Sequence, residues 1–177
     1  MVLGIDPSFS STGLAIVDCY GVCVASATVK APNMCYGGND SIHEACDIII
    51  SGILDFIDDN KTHLADSELE VMLEVPALAT RSGAYLAILH GRIVSILLLR
   101  GMCVYTCPCT ACDSFIKNST HSKTYIVNFC KTKGWVENKR INNDVCTAVV
   151  LSNILISWKK KQYVNKVWVL KNSYKVN

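Results

Sequence analysis

The 177-residue sequence lacks any apolar run long enough to cross a bilayer. Its longest, Ala84 to Leu99, contains His90 and Arg92 and falls short of the roughly 20 residues a membrane helix needs. It reads as a buried helix, and no membrane association is expected. The amino terminus lacks a basic region and meets Asp6 after Val2-Leu3-Gly4-Ile5, so no secretory leader is expected. The ten cysteines are therefore expected as reduced thiols of a cytoplasmic protein, not as a disulfide framework. Repeats and low-complexity segments are also lacking, and with half the residues hydrophobic and 18% charged the composition excludes disordered and collagen-like chains. One domain is expected over residues 1–170, with 171–177 as a flexible tail.

Acidic residues are nearly missing from the last third. Residues 1–116 carry 5 basic and 13 acidic side chains, a net of −8, whereas residues 117–177 carry 12 basic residues and only Glu137 and Asp144, a net of +10. The total of +2 hides this division and by itself argues for no partner.

The short runs Val2 to Ile5, Thr12 to Val17 and Val22 to Val29 are rich in Val, Ile, Ala and Thr and are bounded by Gly, Pro, Asp or Ser. They predict three strands joined by hairpins. From Ser41 to Ile57, apolar residues recur at the helical spacing with Glu44, Asp47, Asp55 and Asp58 between them, which predicts an amphipathic helix with an acidic outer face. Further strands are expected at Glu70 to Val75 and Met102 to Thr106, and helices at Ser82 to Arg100, Ser122 to Lys131 and Asn142 to Lys160. The order describes an α/β domain whose mixed five-stranded sheet carries helices on both faces.

Three acids sit where a core would not place them. Asp6 ends the first strand, Glu74 lies between Leu73 and Val75 near the end of another, and Asp144 opens an apolar helix. Singly, each has a structural reading: Asp6 as a turn former before Pro7, Asp144 as a favourable charge at a helix amino terminus. Glu74 resists one, because a carboxylate in an interior strand needs a partner or a metal to offset desolvation. Together, acids from two strand ends and a helix start form an oxygen-rich cluster suited to Mg²⁺, and paired ions in such clusters drive phosphodiester hydrolysis.

Leu3-Gly4-Ile5-Asp6-Pro7-Ser8 with Ser11-Thr12-Gly13-Leu14-Ala15, Leu73-Glu74-Val75 with Arg81-Ser82-Gly83 and His90-Gly91-Arg92, Val104-Tyr105 with Pro108, Lys117-Asn118-Ser119 and Ser122-Lys123, and finally Asn143-Asp144-Val145 occur in order. This series resembles the RuvC-type Holliday junction resolvases of the ribonuclease H-like superfamily over about residues 1–158. The resemblance implies a homodimer that binds a four-way DNA junction and cuts it with Mg²⁺ or Mn²⁺. It implies Asp6, Glu74 and Asp144 as metal ligands and Lys123 as a basic residue near the scissile phosphate. Lys117, Lys131, Lys133, Lys139, Arg140 and Arg81 are candidates for the DNA-binding surface.

The pattern departs from the family at two places. The second acid usually found one helical turn before the residue matched by Asp144 is Ile141, leaving Asn142 or Asn143 as alternative oxygen donors. The aromatic residue expected after the strand glutamate is replaced in Pro76-Ala77-Leu78.

Three other patterns remain. Gly83, Ala87, Gly91 and Ser95 form a ridge of small residues on a helix apolar nearly all round, as expected where one side meets the sheet and another a second subunit. The family pairs through this helix. Cys103, Cys107, Cys109 and Cys112 form a dense cluster, read as reduced thiols ahead of a zinc or redox site. The basic segment, with Lys131, Lys133, Lys139-Arg140 and Lys159-Lys160-Lys161 among aromatics, reads as a phosphate-binding face if it lies beside the acids. The expected function is a metal-dependent, structure-selective endodeoxyribonuclease. The alternatives are a non-cleaving junction-binding homologue, a related nuclease acting on RNA or other branched nucleic acid and, last, an actin-like phosphotransferase.

Overall fold

A computed structural model describes residues 1–31, 39–64, 68–76, 81–117, 123–137, 141–161 and 168–170. The expected tail, 171–177, lies outside these residues. The β-rich start forms an antiparallel meander of β1 (Val2–Asp6), β2 (Thr12–Val17) and β3 (Cys23–Val29). Strand β4 (Glu70–Val75) joins β1 in parallel, and β5 (Cys103–Pro108) joins β4 in parallel. The five expected strands are thus all present in one mixed sheet. A short sixth, β6 (Trp168–Leu170), adds antiparallel to β5, giving the order β3-β2-β1-β4-β5-β6.

Helices cover both faces, and strand alternation decides which residues meet them. Leu3, Ile5, Leu14, Ile16, Val71, Leu73 and Val104 point to one face, where they bury against α1 (Asn39–Asp59) and α2 (Arg81–Leu99). Val2, Ala15, Val17, Met72 and Cys107 point to the other, against α3 (Thr110–Ile116), α4 (Lys123–Thr132) and α5 (Asn143–Lys159). The acidic side of α1 faces outward as expected, with Arg92 of α2 paired to Asp47 and Arg100 to Asp58.

Helix α5 carries the second face. Residues Val145 to Leu155 are all buried, including Thr147, Ser152 and Asn153, whose polar atoms bond to Asn143 O, Ala148 O, Val149 O and Gly21 O. Backbone contact on this face is close enough to require glycine in two strands. A Cβ at Gly4 would stand 1.9 Å from Ala148 O, and one at Gly13 would stand 2.2 Å from Asp144 O. With no side chain in the way, α5 lies directly on β1 and β2.

Candidate metal-binding carboxylate site

The sheet itself brings the two strand acids together. On β1 the alternation that turns Val2 and Gly4 toward α5 also turns Asp6 that way, and on β4 the same alternation turns Glu74 with Met72. β1 and β4 are adjacent and parallel, with Ile5 opposite Leu73, so Asp6 and Glu74 follow one step further at their carboxyl ends. Antiparallel pairing sets Asp6 opposite Gly13, and Gly13 lies against the backbone of Asp144. The third acid is thereby carried to the same end of the sheet by the first turn of α5.

That turn is fixed by its cap. Asn142 Oδ1 accepts from Val145 N at 2.9 Å and Asn142 Nδ2 donates to Thr28 Oγ1 at 2.9 Å, tying the start of α5 to β3. Both polar ends of Asn142 are therefore engaged in holding the helix. Asp144 Oδ2 accepts a 2.6 Å hydrogen bond from Ser11 Oγ, and Asp144 Oδ1 a long one, 3.4 Å, from Asn143 Nδ2. Asn143 Oδ1 is buried with no hydrogen-bond partner among the described residues.

The acids repel one another. Burial first, and then the charge of Asp144, raise the Asp6 carboxyl from 3.8 to about 7, against the opposing pull of the Thr147 hydroxyl and the Lys123 ammonium. Glu74 is raised from 4.5 to about 8 by burial, then by Asp6 and by Asp113 of α3. Asp6 belongs to both repelling pairs. Among the described residues no three Asp, Glu, His or Cys side chains stand close enough, as placed, to hold one ion. The donor chemistry nonetheless fits a hard divalent cation: oxygen donors, partly withdrawn from water, with more negative charge than Lys123 offsets. Burial, and next Glu74, raise the neighbouring Cys107 thiol to about 12 and push Cys112 up as well.

Other sequence expectations fare unevenly. Lys123 opens α4 within electrostatic reach of Asp6, and Lys117, Lys131 and Lys133 are exposed on α3 and the α4 end. Lys133 stands over the Phe129 ring at 5.6 Å. Lys139 and Arg140 lie outside the described residues; Arg81 begins α2, and its side chain is not among those described. The Lys159-Lys160-Lys161 run is corrected. Lys159 Nζ bonds Glu70 Oε2 at 2.6 Å and Lys160 Nζ bonds Cys19 O at 3.0 Å, at the opposite end of α5 from Asp144, roughly 22 Å away along the helix axis. Trp135 and Trp158 are also structural, packing against Phe115, Phe129 and Tyr105. Ile141 packs among apolar residues near Cys23, Val24 and Val136. All nine described cysteines are free thiols.

Asp113, Thr147 and Ser11 carry no local sequence signal of a place at this site. Asp113 was hidden because α3 is short and lacks a readable period. Ser11 and Thr147 are small polar residues whose roles emerge only when the hairpin meets α5.

No protein-family model and no curated protein matches the sequence. Solved structures do match. RuvC from Thermus thermophilus aligns with a TM-score of 0.67 at 15% identity, covering 91% of this chain and 96% of that one. T. thermophilus RuvC in complex with a Holliday junction substrate aligns with a TM-score of 0.66 at 14% identity and the same coverages. The chain has the RuvC-type, ribonuclease H-like fold. Among the described residues no helix is long and apolar enough to cross a membrane.

Proposed function

We propose that the protein is a divalent-cation-dependent endodeoxyribonuclease that hydrolyses phosphodiesters at four-way or other branched DNA junctions, leaving 5′-phosphate and 3′-hydroxyl ends. One observation carries this reading: Asp6 is shared between Glu74 and Asp144 at the carboxyl ends of adjacent parallel strands. The fold adds support, since one of its matches is a RuvC bound to a Holliday junction substrate.

In this reading Asp6, Glu74 and Asp144 hold Mg²⁺ or Mn²⁺, which when bound supplies the positive charge that activates water and steadies a leaving oxygen. The protein's own groups do the rest. Partial burial of Asp6 and Glu74 lowers the local dielectric, which strengthens their attraction for a cation. The Thr147 hydroxyl, within hydrogen-bond reach of Asp6 and of Asn143 O, steadies the central acid. The Lys123 ammonium, within electrostatic reach of Asp6, would offset charge developing on a phosphate. Lys117, Lys131 and Lys133, together with Lys139, Arg140 and Arg81 from the sequence pattern, would contact the DNA backbone, with recognition by shape.

A homodimer through α2 belongs to the same reading. Between α1 and α2 lies an open cavity of about 550 Å³ lined by Ile88, Gly91, Ile96 and Leu99 of α2 and Ile50 of α1, with the Asp47–Arg92 ion pair also in its wall. Ile88 is 42% and Leu99 79% exposed, an apolar face suited to a second copy.

Incubation with a synthetic four-way junction tests the proposal. Nicking that needs Mg²⁺ or Mn²⁺ and stops with EDTA is expected. Ile141, an apolar residue where the family carries an acid, favours a second reading, a junction binder without cleavage. Tight binding of the junction with no nicking in either metal would establish that reading and defeat the first.

A further inference from the structure

The loop between β1 and β2 is built to hold one side chain. Thr12, fully buried at the start of β2, donates its hydroxyl to Ser8 O at 2.7 Å and accepts from Ser8 N at 3.1 Å. These two bonds close the turn on itself, and a third, from Ala31 N to Phe9 O at 3.3 Å, ties it to the chain beyond β3. Ser11 sits at the end of this fixed turn. Its Oγ donates to Asp144 Oδ2 at 2.6 Å, a short charge-assisted hydrogen bond between residues 133 apart in sequence.

The two oxygens of Asp144 are therefore not equivalent. Oδ2 is held by a strong donor on a rigid turn, while Oδ1 has only the 3.4 Å contact from Asn143 Nδ2. A carboxylate held at one oxygen loses its rotational freedom and offers the other. Hydrogen bonds of this kind to a ligating carboxylate orient it and typically alter metal affinity 10- to 100-fold when removed.

We infer that Ser11 is a positioning residue of the carboxylate site, whose hydroxyl fixes Asp144 Oδ2 and so makes Oδ1 the oxygen presented to a divalent cation. The inference rests on the metal-dependent reading given above. Ser11 touches neither DNA nor ion in this role; it acts through Asp144. A serine that only stabilised the hairpin would affect unfolding without affecting the ion.

Mn²⁺ binding to the whole protein, measured by calorimetry and by the spin-resonance signal of free Mn²⁺ with no DNA present, separates these roles. For Ser11→Ala the expected result is Mn²⁺ affinity weakened about 10-fold or more. Ser11→Thr, which restores a hydroxyl, should bind within about 3-fold of the unsubstituted protein, and its affinity guards against a folding defect in the alanine variant. Ser11→Ala binding Mn²⁺ as tightly as the unsubstituted protein, or Ser11→Thr binding as weakly as Ser11→Ala at undiminished thermal stability, would overturn the inference and leave the nuclease reading standing. If the unsubstituted protein neither binds Mn²⁺ nor nicks a junction, the metal-dependent reading fails, and the role of Ser11 fails with it.

Discussion

Gly13 lies directly beneath the backbone of Asp144, so close that a Cβ on residue 13 would stand 2.2 Å from the Asp144 carbonyl oxygen and 2.8 Å from Val145 N. The neighbours are main-chain atoms in the first turn of a buried helix, and they have no flexible end to move aside. Gly13→Ala is expected to lift the start of α5 off β2, lowering stability by about 1–3 kcal/mol and displacing Asp144. Urea unfolding gives the first effect and Mn²⁺ affinity the second. A variant with unchanged midpoint and unchanged affinity would mean that α5 does not rest on β2 as described.

The exposed side of α2 makes a separate prediction. Gly91 has nothing within 4 Å of where its Cβ would be, and Ile88 and Leu99 face outward beside it. The protein should behave as a dimer in light scattering, and Ile88→Glu, which sets a charge on an apolar face, should give a folded monomer. A monomeric unsubstituted protein would remove the dimer from the account.

Much of this arrangement is legible in the sequence. Strands β1, β2 and β4 and helices α1, α2 and α5 lie where the period-2 and helical patterns put them, because each has a clear buried face or is buried all round. Asp6, Glu74 and Asp144 are visible because a carboxylate beside Ile5, Leu73 or Val145 conflicts with local burial. What escapes is set by tertiary contact. Thr110 to Ile116 is too short and cysteine-rich to declare a helix, so Asp113 gives no sign of facing Glu74. Lys159 looks like a phosphate contact until β4 brings Glu70 against it. Ser11 bonds an acid 133 residues away, which no local pattern encodes.

Raised carboxyl pKa values set the pH behaviour of the metal-free protein. Asp6 and Glu74 titrate at about 7 and 8 when folded, against 3.8 and 4.5 when free, so the folded form keeps protons that the unfolded chain gives up. Their contribution to stability is complete below about pH 4 and is lost as pH rises to about 8. In EDTA, the thermal midpoint relative to that of Asp6→Asn is expected to fall by about 3 °C or more from pH 5 to pH 8. Mg²⁺ should restore more at pH 8 than at pH 5. A difference between the two proteins that is flat across this range would contradict the electrostatic description of the site.

Two lysines on different ends of the molecule separate DNA contact from fold maintenance. Lys123 lies within electrostatic reach of Asp6, whereas Lys159 is paired with Glu70 at the far end of α5. Lys123→Ala is expected to lower the nicking rate about 100-fold. It should also reduce the slope of log affinity against log salt by about 1. Lys159→Ala should leave junction affinity and its salt dependence unchanged. Equal losses of affinity in the two variants would show that the basic surface extends to the far end after all.

The measurement closest to the central claim is junction nicking by Asp6→Asn, with Mg²⁺ affinity recorded on the same preparation. Asp6 is the acid common to both repelling pairs, and the substitution keeps its shape while removing its charge. The account predicts a folded protein, more stable than the original in EDTA at pH 8, that binds the junction, has lost most of its affinity for Mg²⁺ and cuts at least about 1000-fold more slowly. Cleavage at the unsubstituted rate by Asp6→Asn would contradict it.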